Sequence, residues 1–223
     1  MKIYCFGDSI MAMEGRVYDA PGNYNHQEVV GQVCKGYPSM LKKHLGLDVA
    51  ANYAVGGQGI HQQMEIILQQ DFSDVDLVII AVGVNDFSQG KAIGKIPDSQ
   101  ETEHDSTFIG EYCTALDHIF RGNPFVKVLL MTPLHRYTLH RQDNGPKNTI
   151  DTRVKGNVLD DYAQAIRDLG KFYSCPVADM YAESGLNRFN LKRFTLEGVH
   201  PTNEGYEFIS TPMIQKVKEM LIL

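Results

Sequence analysis

Widely separated stretches of this chain carry residue types that could act together on an acyl group. Gly7-Asp8-Ser9 supplies a hydroxyl, Val55-Gly56-Gly57-Gln58-Gly59 a glycine-rich backbone and Gly83-Val84-Asn85-Asp86 a carboxamide. Glu197-Gly198-Val199-His200-Pro201 supplies an imidazole with a carboxylate three residues before it. A serine hydroxyl is a weak nucleophile until a base takes its proton, and imidazole has the ordinary pKa suited to that task. Ser9 is therefore the candidate nucleophile and His200 the candidate base. Glu197 is spaced to hold the Nδ1–H of His200 and to stabilise the ring once it is charged. Backbone N–H groups at Ser9 and Gly57, with the Asn85 amide, are the candidate oxyanion donors, each worth about 3 kcal/mol in a transition state. Asp8 and Asp86 read instead as residues that tie down their own loops.

Such residues work only if the fold delivers them to one place. Apolar runs predict strands over 3–6, 48–54, 76–82, 125–131 and 175–179. Helical periodicity falls over 37–46, 60–70, 107–121 and 154–173, and a last helix follows Asn203 with a break at Pro212. Pro38 suits a first helical turn and Gly46 a stop, while Leu68 is expected on the inner face of 60–70. Segment 76–82 is apolar throughout, as a central parallel strand should be. The alternation predicts a single domain over 1–223, with a parallel sheet covered on both faces. The carboxyl ends of such strands share the edge where ligands bind. Ser9, Gly57 and Asn85 each follow a predicted strand, and His200 precedes the last helix. Polar segments 11–36 and 87–105 read as loops over that edge, the first as a lid or binding loop. Segment 134–150 reads as a basic loop at the rim, with His135, Arg136, His140, Arg141 and Lys147.

The blocks Gly7-Asp8-Ser9, Asn52-Tyr53-Ala54-Val55-Gly56-Gly57, Gly83-Val84-Asn85-Asp86 and Gly198-Val199-His200-Pro201 occur in that order. They resemble the motif blocks of the SGNH hydrolases, also known as GDSL esterases/lipases, and the resemblance spans almost the whole chain. It implies a flavodoxin-like three-layer α/β/α sandwich, with a five-stranded parallel sheet in the order 2-1-3-4-5. It implies no metal and no organic cofactor. It carries over Ser9 as nucleophile, His200 as base, and Gly57 and Asn85 as oxyanion donors. Gly57 is chosen over Gly56 because it lies five residues after Asn52, as in the family block. One position departs from the pattern. The usual triad acid is aspartate, and this chain has Glu197, one methylene longer.

Composition narrows the partners. A formal net charge of −6, with no dominant cluster of lysine or arginine, argues against nucleic acid. No apolar run approaches the roughly 18 residues of a membrane span. Neither phosphate-loop pattern is present, which argues against a nucleotide binder on the same kind of sheet. Cys5, Cys34, Cys113 and Cys175 are scattered without a CxxC pair, Cys5 and Cys175 falling in predicted strands, and so read as free thiols. The chain opens directly on a strand, which leaves no room for a signal peptide and gives a cytoplasmic expectation. The expected activity is that of a serine esterase or acylhydrolase on a small-molecule ester, short in its acyl part, such as an O-acetyl group on a carbohydrate. A lysophospholipase or thioesterase is the alternative within the class. A binding module without turnover is the alternative outside it, supported only by Glu197 in place of aspartate.

Overall fold

The computed structural model describes residues 1–99, 104–138, 147–148 and 153–221. In chain order come β1 (Ile3–Gly7), α1 (Ser9–Ala12), α2 (Tyr37–Leu45), β2 (Ala51–Asn52), α3 (Ile60–Ile67), β3 (Leu77–Ala81) and α4 (Val84–Gln89). Then follow α5 (Phe108–Gly122), β4 (Lys127–Met131), β5 (Tyr137–Thr138), β6 (Lys147–Asn148) and α6 (Leu159–Tyr173). The chain continues through β7 (Val177–Ala178), α7 (Met180–Glu183), α8 (Leu191–Phe194), α9 (Asn203–Ile209) and α10 (Thr211–Leu221). The five-stranded sheet runs β2-β1-β3-β4-β7, with every neighbour parallel. Counted within the sheet, that is the expected order 2-1-3-4-5. β5 and β6 pair as a separate antiparallel ribbon.

Strand side chains alternate between two cores because successive Cβ atoms leave a strand on opposite sides. Phe6, Val78, Ile80, Val128 and Leu130 face α3, α5 and α6. Ile3, Cys5, Ile79, Leu129 and Met131 face α2, α9 and α10. The three central strands β1, β3 and β4 thus bury both faces, which is why these segments are apolar without alternation. Among the described residues, no helix is long and apolar enough to cross a membrane.

Several expected boundaries move, each for a physical reason. The second strand, expected over 48–54, keeps only Ala51–Asn52 as ladder. The helix expected over 154–173 starts at Leu159, because Val154 bridges Asn157 and Val158 is an extended N-cap. The polar stretch 87–105 begins inside α4, which closes on Gly90 in the left-handed region. Leu68 is the C-cap of α3 and is exposed rather than inward. Cys175 lies ahead of β7, not in it, and all the cysteines are buried and free. Pro212 falls in the first turn of α10, where its missing N–H costs nothing, and the chain breaks between α9 and α10 as expected.

Candidate active site

Ser9 stands where β1 gives way to α1 at the carboxyl edge of the sheet. Asp8 is the N-cap: its carboxylate accepts the Ile10 N–H at 2.9 Å. Ser9 is then the first helical residue, so its own N–H has no partner within the helix. The short helix is held from two sides, by the Tyr206 hydroxyl donating to the Ile10 carbonyl at 2.6 Å and by Asn52 Nδ2 donating to the Met11 carbonyl at 3.1 Å. Asp8 is buried, and burial pushes its carboxyl up to about 7, the Ile10 N–H and the nearby His200 partly offsetting the rise.

His200 arrives from the other end of the chain. Its Nε2 lies 2.8 Å from Ser9 Oγ, and its Nδ1 lies 2.6 Å from Glu197 Oε1. The same Glu197 oxygen accepts the main-chain N–H of His200 at 2.9 Å. The extra methylene of glutamate is therefore absorbed by a fold-back of the side chain onto its own loop. Two opposing effects set the His200 pKa. Burial favours the neutral ring, while the Glu197 hydrogen bond and charge, with Asp8, favour the charged ring; Arg136 opposes them. The carboxylates win, and the pKa is raised above the ordinary imidazole value.

The polar segment after α1, expected as a lid, is packed onto the segment that carries Glu197 and His200. The Tyr18 hydroxyl, buried beside Cys34, lies 3.1 Å from the Pro201 carbonyl and 3.3 Å from Asn203 Oδ1. Asn203 Oδ1 also accepts the Lys35 N–H at 2.8 Å. The Tyr24 N–H donates to the Leu196 carbonyl at 3.0 Å, and His26 Nε2 meets the Lys192 carbonyl at 2.8 Å. The segment thus braces the histidine loop from both sides.

The two remaining candidates meet at one turn. Gly56 lies against Ser9, since a Cβ built on it would come 3.7 Å from the Ser9 Cβ. Gly57 follows with φ +80°, a conformation that side-chain-bearing residues rarely adopt, and a Cβ there would meet open space. Asn85 Nδ2 donates to the Gln58 carbonyl at 2.9 Å. Its amide therefore ties down the glycine turn rather than its own turn, and Nδ2 carries a second N–H. Asp86 is buried beneath, where both carboxylate oxygens accept the Ile60 N–H, at 3.0 and 3.2 Å. It caps α3 from outside, and Gly59 makes room for it: a Cβ at Gly59 would come 2.6 Å from Asp86 Oδ1. Burial pushes Asp86 up to about 6, against the pull of the Ile60 N–H.

The structure brings Ser9, His200, Glu197, the glycine turn and Asn85 to one strand edge. The basic loop is divided. Arg136 donates to the Val84 carbonyl at 3.3 Å and lies over the Phe87 ring at 5.6 Å, so it flanks the Asn85 turn. His135 instead turns onto Tyr181, ring to ring at 4.0 Å, and burial lowers its pKa. His140 and Arg141 lie outside the described residues, as does the Lys147 side chain. Gln63 is the residue that sequence reading missed. It lies on the inner stripe of α3 with Ile60 and Ile67, and a polar residue on an apolar stripe was the available signal.

Residues 5–208 match the sequence model of the GDSL-like Lipase/Acylhydrolase family. No curated protein matches. Among solved structures the chain is similar to a Chitinophaga pinensis protein described as a possible lipase: TM-score 0.76, 21% identity, 100% of this chain and 99% of that one covered. It is similar to a lipase/acylhydrolase from Enterococcus faecalis, with TM-score 0.63, 19% identity and coverage of 98% and 96%. It is also similar to a variant of Axe2, an acetyl-xylooligosaccharide esterase from Geobacillus, with TM-score 0.60, 18% identity and coverage of 97% and 93%. At such identities the likeness is one of fold.

Proposed function

The chain belongs to the GDSL-like lipase/acylhydrolase family, and on that premise we propose that it is a serine esterase cleaving a short-acyl ester through an acyl-enzyme. The observation that carries the reading is the relay from Glu197 Oε1 through the His200 ring to Ser9 Oγ, at 2.6 and 2.8 Å. His200 Nε2 takes the Ser9 proton as Oγ attacks the ester carbonyl, and the negative charge gathers on the carbonyl oxygen. The Ser9 and Gly57 N–H groups and Asn85 Nδ2 receive that oxygen. Collapse breaks the bond to the alcohol, which leaves with the proton from His200. Water then repeats the sequence on the acyl-enzyme, again with His200 as base, and releases the carboxylic acid. Glu197 keeps the Nδ1–H oriented and stabilises the charged ring in both halves.

The substrate class rests on the polar character of the segments around the site and on the fold shared with the acetyl-xylooligosaccharide esterase. An O-acetyl group on a carbohydrate is the substrate we favour. The test is turnover of p-nitrophenyl acetate, butyrate and octanoate. We expect kcat/KM to fall with chain length. Octanoate turned over best would move the assignment to a lysophospholipase or thioesterase. Absence of turnover, together with failure of a fluorophosphonate to label Ser9, would leave a binding module.

The pH dependence follows from the sign of the His200 shift. The base must be neutral, so kcat/KM rises with pH as His200 loses its proton. A raised pKa places the midpoint of that limb above about 6.5, the ordinary imidazole value. Asp8 ionises in the same range, and its negative charge favours the imidazolium, moving the limb further the same way. A midpoint below 6 in a kcat/KM profile would contradict the assignment of His200.

A further inference from the structure

A parallel ladder steps two residues at a time, and the backbone bonds between β1 and the chain leaving β2 keep that step next to the site. The Tyr53 N–H donates to the Cys5 carbonyl at 2.8 Å and the Val55 N–H to the Gly7 carbonyl at 3.0 Å. The reciprocal rung would run from the Gly7 N–H to the Tyr53 carbonyl. A side chain stands in its place. Gly7 N–H donates to Gln63 Oε1 at 2.9 Å, and Gln63 Nε2 faces the Tyr53 carbonyl at 3.4 Å. The inserted amide explains why β2 ends at Asn52: the Gly7–Tyr53 rung is bridged by a carboxamide, while the Tyr53–Cys5 and Val55–Gly7 bonds on either side still join the two chains directly.

Gln63 reaches further. Its Nε2 donates to Gln58 Oε1 at 2.6 Å, and the Gln58 carbonyl accepts from Asn85 Nδ2. The side chain is 0% exposed, so its amide is satisfied by the protein. Its partners sit two residues before Ser9, on both flanks of Gly57 and one bond away from Asn85. Every proposed oxyanion donor is tied to this one carboxamide.

We propose that Gln63 is a positioning residue for the oxyanion hole: its amide replaces a ladder rung, holds the turn around Gly57 away from β1, and fixes the Gln58 carbonyl that orients Asn85. This rests on the acyl-transfer reading above. Without the amide, the Gly7 N–H and Tyr53 carbonyl would be left to pair directly or to stay unpaired. Either outcome moves the turn relative to Ser9, while His200 and Glu197 on the opposite loop stay in place. A merely structural glutamine would instead tie α3 to the sheet without effect on transition-state binding.

The test uses Gln63→Met, of similar length and without the amide, and Gln58→Ala, which cuts the network from its half-buried end. The full chain is assayed on the p-nitrophenyl ester that the wild type turns over best, at a temperature where circular dichroism shows each variant folded. Wild-type turnover that Ser9→Ala abolishes establishes the acyl-transfer reading independently. Its absence defeats that reading, whereas failure of the present inference appears only in the variants. For Gln63→Met we expect kcat to fall about 30-fold and KM to change less than about threefold, since donors are displaced rather than deleted. Affinity for a trifluoromethyl ketone, which forms a tetrahedral adduct with the serine, should fall in parallel with kcat. The pH midpoint of kcat/KM should not move. The loss should be less than additive with that of Asn85→Ala, because both act through the Gln58 carbonyl. If Gln63→Met does not fold, Gln58→Ala carries the test, with an expected loss of about fivefold in kcat. A folded Gln63→Met with kcat within twofold of wild type overturns the proposal. So does a loss of kcat with unchanged affinity for the ketone, or, where only Gln58→Ala folds, an unchanged kcat in that variant.

Discussion

Ser9→Ala is expected to reduce ester turnover by at least about four orders of magnitude, to the level of the uncatalysed reaction plus whatever the oxyanion donors supply. The size of the loss follows from the relay: with no Oγ at 2.8 Å from His200 Nε2, no acyl-enzyme forms and every later step disappears. Binding should survive, because the binding surface keeps its shape. Stability should survive as well. The hydroxyl makes its contact with a half-buried imidazole, and the cap of α1 is Asp8, not Ser9. A melting temperature within about 2 °C of wild type is the expected accompaniment. His200→Ala should lose a comparable amount, and the double variant little more than either alone, since the two residues act as one unit. Rates equal to wild type in folded Ser9→Ala, measured on the same short-chain ester, would remove Ser9 as the nucleophile.

Glu197 is the position where this chain departs from the usual aspartate, and its geometry makes an unusual prediction about its amide variant. In a triad whose acid touches only the ring, an amide replacement tends to trap the wrong imidazole tautomer and costs about four orders of magnitude. Here one carboxylate oxygen accepts both the His200 ring Nδ1–H and the His200 main-chain N–H, at 2.6 and 2.9 Å. An amide NH2 group cannot accept from that main-chain N–H. Glu197→Gln should therefore keep its oxygen toward the ring, hold the productive tautomer and lose only the charge. The expected loss in kcat/KM is about two orders of magnitude, because the imidazolium formed in the transition state loses its charged partner while its orientation is kept. The acid limb of the pH profile should move down at the same time, because a carboxylate that raises the His200 pKa has been neutralised. Glu197→Ala, which removes orientation as well, should be slower than Glu197→Gln. A folded Glu197→Ala as fast as wild type would show that something other than this carboxylate orients the ring.

Much of the architecture could be read along the chain because it rests on short-range physics. The apolar run of β3 announces a strand buried on both faces, and Pro38 and Gly46 bracket α2 by what each does to the backbone. Alternating strands and helices call for a parallel sheet covered on both faces, while the order of its strands followed only from the resemblance of the motif blocks to a known family. The residue types at the site were also legible, since a hydroxyl and a carboxamide following strand ends, with an imidazole and a carboxylate ahead of the last helices, declare their chemistry wherever they lie.

What the sequence could not show depends on pairs of groups far apart along the chain. β2 is short because a glutamine on α3 takes a backbone rung, and periodicity marks Gln63 only as a polar residue out of place. The segment after α1 reads as a lid or binding loop, but only the fold shows that Tyr18 and Asn203, 185 residues apart, tie it to the histidine loop. Whether a glutamate serves where aspartate is usual is decided by the fold-back of one side chain onto its own backbone, an ångström-scale matter that no spacing rule encodes. Local propensity and hydrophobic pattern act over a few residues and so determine the elements and the edge to which they deliver their ends. Distances between reacting atoms arise from the packing of side chains brought together from across the chain, and those only the tertiary structure decides.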